Sequence, residues 1–170
     1  MKVMISGGQQ LAALKLKNKL SAQFEVILAD FGDIPQTGLS NNPILGLGAW
    51  NPTILAHHIL KVCLDLGITM YIPLNFEEWI ILDKARLLFA EYHIQLGFPV
   101  KEKEIMLFKS SQFQDFVLFD NGELIFSSSH TKHLNFPFSL VGYSGLIGIH
   151  WDLGSSNSSS DVANFSFITI

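Results

Sequence analysis

Residues 2–30 read KVMISGGQQLAALKLKNKLSAQFEVILAD, a strand, a glycine turn, a helix and a second strand with almost no connecting residues. Val3, Met4 and Ile5 form a short apolar run that stops at Ser6-Gly7-Gly8. Ala13, Leu16 and Leu20 then recur at helical spacing, with Lys15, Lys17 and Lys19 largely off that face. Val26, Ile27, Leu28 and Ala29 make a second apolar run, which ends at Asp30. Neither run alternates, so both faces of each strand are buried. A parallel sheet covered by helices requires this, with right-handed crossovers joining its strands. The fold class follows: α/β, a parallel sheet flanked by helices.

Working outward, residues 31–51 are rich in Gly, Pro and Asn, too long for an ordinary connection, and read as a functional loop or as the site of a short helix. Asn51-Pro52 reads as a helix start, Leu55, Ile59, Val62 and Leu66 as its buried face, and Gly67 as its stop. Ile68 to Leu74 is the third strand. Asn75-Phe76-Glu77-Glu78 matches a capping box, with Asn75 accepting from free helix amides and Glu78 reaching back. The helix that follows places Ile81, Ala85, Leu88, Phe89 and Tyr92 on one side and ends near His93. His93 to Leu96 is a short fourth strand, and Lys101 to Phe108 a short helix.

The texture changes near residue 110. Phe116 to Phe119, Asp120-Asn121-Gly122 and Leu124 to Phe126 carry a hairpin signal, because Asn-Gly suits the turn that twisted strands need. Phe136 to Val141, Leu146 to Trp151 and Val162 to Ile170 read as further strands, with Ser155 to Ser160 a solvated loop. Two domains are expected, residues 1–108 and a β-rich appendage at 109–170.

Composition bounds the function. A chain of 170 residues buries more than about two-thirds of its unfolded surface without a staple. The single cysteine, Cys63, lies in an apolar helical pattern and reads as a buried thiol. A net charge of -4 with scattered lysines argues against nucleic acid. No apolar run approaches the roughly 18 residues of a membrane span, and no leader pattern opens the chain, so a cytoplasmic protein is expected. Charged residues make up only 15% and the mean hydropathy is +0.32. This reads equally as a surface that meets another subunit or domain and as a well-filled core in a small protein; a homodimer formed through the apolar tail is one alternative.

Ligands of an open parallel sheet bind beyond the carboxyl ends of its strands. Those ends supply Gly7, Gly8, Gln9, Asp30, Asn75 and Glu77 as the candidate ligand-binding set. The glycine turn either offers helix amides to a phosphate or carboxylate, or simply permits a tight turn. The dinucleotide fingerprint is broken, because Gln9 stands where a second glycine should admit the pyrophosphate, which disfavours NAD and FAD. Asp30 either binds ribose hydroxyls or caps its loop. Glu77 and Glu78 read as acids complementing a helix dipole. His57 and His58 diverge on a helix, and His130, His133, His150 and Asp152 lack any metal-ligand signature. No catalytic residue and no metal site is assigned.

Val3 to Gly8, Val26 to Asp30, Leu66 to Glu78 and Leu87 to Ile94 together resemble the N-terminal domain that precedes the catalytic module in ATP-grasp ligases, particularly proteins similar to the carbamoyl-phosphate synthase large subunit. The resemblance covers roughly the first hundred residues. It implies a Rossmann-like layer on the substrate side of an active site whose ATP and magnesium are held mainly by later domains. Gly142 stands where that family has a Lys, and its magnesium-ligating acids have no counterpart before Ile170. The resemblance therefore implies an accessory domain that binds a small anionic metabolite or a partner protein, with ATP and magnesium brought only by a partner. A ligase subunit completed by another chain and a homodimerisation module are the alternatives.

Overall fold

The computed structural model describes residues 1–34, 43–97, 109–110, 113–128, 144–152 and 162–168. They fall into two compact units, one centred on Met1–Phe98 and one on Pro99–Thr169. The first carries β1 (Lys2–Ser6), α1 (Leu11–Leu20), β2 (Glu25–Asp30), β3 (Ile44–Gly46), α2 (Leu55–Leu66), β4 (Met70–Ile72), α3 (Phe76–Asp83), α4 (Arg86–Glu91) and β5 (Gln95–Leu96). Its sheet runs β3-β2-β1-β4-β5 with every pairing parallel. The α/β, Rossmann-like expectation is met. The chain winds outward from β1 to β3 and then returns to place β4 on the other side of β1, so the topological switch point lies between β1 and β4.

The apolar runs behave as their lack of alternation requires. Val3, Met4 and Ile5 are wholly buried, and Met70, Tyr71 and Ile72 are no more than 1% exposed. The helices cover the sheet with Ala13, Leu16 and Leu20 from α1 and Leu55, Ile59 and Cys63 from α2. Gly67 ends α2 at φ 65, the left-handed conformation that glycine adopts without strain, and its N–H closes onto Cys63 and Leu64 carbonyls. Among the described residues, no helix is long and apolar enough to cross a membrane.

Three sequence expectations need correction. The long connection after Asp30, of which residues 35–42 lie outside the described residues, holds a strand, β3, that the sequence pattern did not announce; its residues are half-buried or exposed and leave no apolar signature. The third strand is shorter than Ile68 to Leu74. The helix after Asn75 is two helices, broken where the Ala85 N–H turns back to the Leu82 carbonyl at 2.9 Å. That break changes which side is inside. Glu78, Trp79 and Leu82 of α3 and Phe89 of α4 are buried, whereas Tyr92 is 49% exposed. One continuous helical period cannot report a face that restarts at a kink.

The second unit is a sheet in the order β6-β10-β9-β7-β8, formed by β6 (Lys109–Ser110), β7 (Asp115–Asp120), β8 (Glu123–Ser127), β9 (Gly145–Asp152) and β10 (Val162–Ile168). The pairs are antiparallel except β6 with β10. The hairpin forms at Asn121 and Gly122, with φ 50 and 86. Its tip is fixed by Ser144, whose Oγ accepts the Asn121 N–H at 2.8 Å and donates to Asp120 at 3.2 Å. The core packs Phe116 against Phe113 and Phe126 at ring distances of 5.9 and 5.4 Å. The expected short helix at Lys101 to Phe108, the strand at Phe136 to Val141 and the loop at Ser155 to Ser160 lie outside the described residues.

Gly8 packs closely against backbone in the first unit. Its N–H donates to the Ala29 carbonyl at 2.9 Å, and a Cβ there would lie 3.0 Å from that oxygen and 3.1 Å from both the Leu28 and Ile44 side chains. Backbone cannot give way as a side-chain tip can. Gly8→Ala should therefore cost about 1–3 kcal/mol in urea unfolding. A neutral substitution would mean that the turn does not pack as described.

Candidate functional site

The sheet brings two hydroxyls together. Met4 of β1 pairs with Tyr71 of β4 in parallel register, and Ser6 lies two residues beyond Met4 on the same face. Both residues are buried, so both hydroxyls need partners inside the protein. The partner is Glu78, in the first turn of α3. Ser6 Oγ donates to its Oε2 at 2.5 Å, and the Tyr71 hydroxyl donates to its Oε1. Asn75 fixes the start of that helix by accepting the Glu77 N–H at 2.8 Å. The capping-box expectation is thus half met: Asn75 caps, and Glu78 turns inward instead of reaching back.

Burial dominates the electrostatics of Glu78. The residue is 1% exposed, and loss of water pushes its carboxyl up to about 7, against an ordinary value of 4.5. The two hydroxyl donors pull the other way, and the Asp30 charge adds to the rise. The same environment lifts its neighbours. Burial, then the Glu78 charge, pushes the Tyr71 hydroxyl well above its ordinary value and the Cys63 thiol up to about 12. Cys63 is buried and unreactive in this state, as its sequence context suggested.

Above Glu78 opens a cleft of about 310 Å³ at the carboxyl ends of the strands. Gly7, Asp30, Asn75 and Glu77 line it, together with Gln10, Phe31, Trp50 and Glu78. The aromatic wall comes from the long connection after β2. Bonds from the Leu47 N–H to the Asp30 carbonyl and from the Gly32 N–H to the Gly48 carbonyl, both 2.8 Å, fold its two ends together. Phe31 and Trp50 then meet edge to face at 5.0 Å, with Trp50 37% exposed.

The remaining predicted residues lie elsewhere. Gly8 and Gln9 line a separate cavity of about 280 Å³ beside Leu11, Leu14, Leu28 and Ile44. Gly8 is there for the close approach to β2. The Gln9 N–H bonds to Asp30 Oδ2 at 2.9 Å, and the Phe31 N–H to Asp30 Oδ1 at 2.8 Å. Asp30 therefore caps its own following loop through the Phe31 N–H, one of the two roles read for it, and in addition ties down the glycine turn through the Gln9 N–H. With the Gly8 N–H on Ala29, the Gln9 N–H on Asp30 and the Gln10 N–H on the Gly7 carbonyl, the turn holds no open nest for an anion at these three amides. His58 bonds through Nε2 to the Leu47 carbonyl at 2.9 Å, and His57 is exposed. Among the described residues, no group of three or more His, Cys, Asp or Glu is placed to hold a metal ion.

Glu78, Gln10, Phe31 and Trp50 were not in the predicted set. A signal for Glu78 was present, since Ser6 and Tyr71 are hydroxyls within apolar strand runs next to an Asn-x-x-Glu. No family model and no curated protein matches the chain. The functional reading rests on the cleft itself.

The raised carboxyl has a stability consequence with a definite sign. Between about pH 4.5 and 7 the unfolded chain has released the Glu78 proton and the folded chain still holds it. Stability falls as pH rises through that window, by a total of about 3 kcal/mol, and levels off above it. Glu78→Gln should remove most of this slope and gain stability near pH 8, with little change near pH 4. Urea unfolding of both proteins across that range checks this, and equal slopes would refute it.

Proposed function

We propose that the first unit is an accessory small-molecule-binding module that takes a polar, hydrogen-donating metabolite in the cleft at the switch point. The observation that carries this reading is Glu78: a carboxyl 1% exposed, pushed up to about 7 by burial, sits at the floor of a cleft at the sheet's switch point. A carboxyl so desolvated is typical of a site shaped for a ligand, not for stability alone.

Three supporting features give the ligand its chemistry. Asp30, Glu77 and Glu78 line the cleft, and among the described residues no Lys or Arg does. The turn amides of Gly8, Gln9 and Gln10 are already engaged. These features favour a ligand bearing hydroxyls or an amine over the anionic metabolite that the glycine turn suggested. Phe31 and Trp50 offer a flat apolar surface to the rest of it. Under the ATP-grasp resemblance, nucleotide and magnesium would be held by a partner chain, which makes ATP with magnesium the natural control.

Thermal unfolding of the full chain with nucleosides, sugars, amines, carboxylates and ATP with magnesium tests the proposal. A hydroxyl- or amine-bearing ligand at about 100 times its dissociation constant should add about 2.7 kcal/mol and raise Tm by several degrees. The shift should be lost in Trp50→Ala and weakened in Glu77→Gln, since both side chains line the cleft and reach solvent. A shift given only by carboxylates, or one untouched by both substitutions, would contradict the proposal.

A further inference from the structure

We infer that the proton on Glu78 sets the charge that the cleft presents, so that the cleft favours cationic and hydrogen-donating ligands with this carboxyl ionised and loses that preference with it protonated. The inference rests on the cleft being the binding site proposed above.

The geometry isolates one carboxyl. Glu78 is the cleft-lining acid cut off from water, whereas Glu77 is exposed at the rim and Asp30 is half-buried with both oxygens accepting backbone amides. The groups that face Glu78 come from every element around it: Ser6 from β1, Asp30 from β2, Tyr71 from β4 and Cys63 from α2, with Glu77 beside it on α3. None is a cation. An ionised Glu78 therefore keeps its full negative charge, neutralised only by two hydroxyl dipoles. When the carboxyl takes up a proton, its O–H donates to one of those hydroxyls, which reverses from donor to acceptor. Both hydroxyls stay bonded to the carboxyl in both states, one donating to it and the other accepting from it in the protonated form. A change of one charge can thus occur at the cleft floor without rebuilding the fold, and desolvation places it near neutral pH.

Trp50 lines the same cleft and supplies a reporter. Fluorescence quenching by caesium, iodide and neutral acrylamide, with the Trp50 component obtained by difference from Trp50→Phe, reads the sign of the local potential. At low ionic strength the caesium-to-iodide ratio should rise about twofold or more between about pH 5.5 and 8.5, with acrylamide quenching constant. The rise should vanish in Glu78→Gln. In Tyr71→Phe, which removes one donor to the ionised form, its midpoint should move to higher pH. His58→Gln is the control, because that imidazole contacts the Leu47 carbonyl in the segment that leads to Trp50.

A flat ratio in the wild type, an undiminished rise in Glu78→Gln, an unmoved midpoint in Tyr71→Phe, or a rise lost in His58→Gln would overturn the inference. These outcomes are separate from failure of the binding proposal. A ligand-induced thermal shift untouched by both Trp50→Ala and Glu77→Gln removes the site and leaves the charge change in place.

Discussion

The Glu78 carboxyl, held between the hydroxyls of Ser6 and Tyr71, is the interaction on which the first unit turns. It ties β1 to the consecutive elements β4 and α3, with Ser6 lying 72 residues from Glu78 and Tyr71 only seven. β1 and β4 are neighbours because the chain reverses direction across the sheet between them. That reversal leaves a gap beyond their carboxyl ends, and α3 closes the floor of the gap with a polar side chain. An apolar residue of similar size would leave two buried hydroxyls without an acceptor. The acid satisfies them, at the cost of a desolvated charge.

The balance of those two costs explains how fold and site are linked. Two hydroxyl donors favour the ionised carboxyl, but burial and the neighbouring Asp30 outweigh them. The result is a carboxyl poised to gain or lose its proton near neutral pH, at the position where an open parallel sheet binds its ligands. Asp30 takes part twice. Its charge raises Glu78, and its oxygens tie down the amides of Gln9 and Phe31, which closes the glycine turn to anions and fixes the first residue of the aromatic wall. At these amides the glycine turn is therefore a structural corner, with Gly7 on the wall of the cleft and Glu78 at its floor.

The parts of the fold that were legible in the sequence are those fixed by local pattern. The unbroken apolar runs of β1 and β2 showed a parallel sheet, Gly67 marked the end of α2, Asn75 the start of α3, and Asn121-Gly122 the hairpin. Gly7, Asp30, Asn75 and Glu77 could be placed at the cleft because strand ends define it whatever the side chains are. What escaped depends on distant contacts. β3 is a three-residue edge strand with no buried run. Gly8 could be read from the sequence as a ligand contact or a plain turn residue, and only the structure shows Ala29, Leu28 and Ile44 closing on it. Glu78 was assigned to its own helix terminus, the local use of an acid at that spacing, whereas its partners come from two strands. Trp50 reaches the cleft through bonds between the ends of a long connection, which no periodicity encodes.

The most direct test of this account is a carbon-13 NMR titration of the Glu78 side-chain carboxyl in the full chain, assigned by its loss in Glu78→Gln. The account predicts a midpoint near 7, with Asn75 and Gly7 amide signals moving over the same range. A midpoint at the ordinary value of 4.5, or cleft amides that ignore the titration, would contradict it.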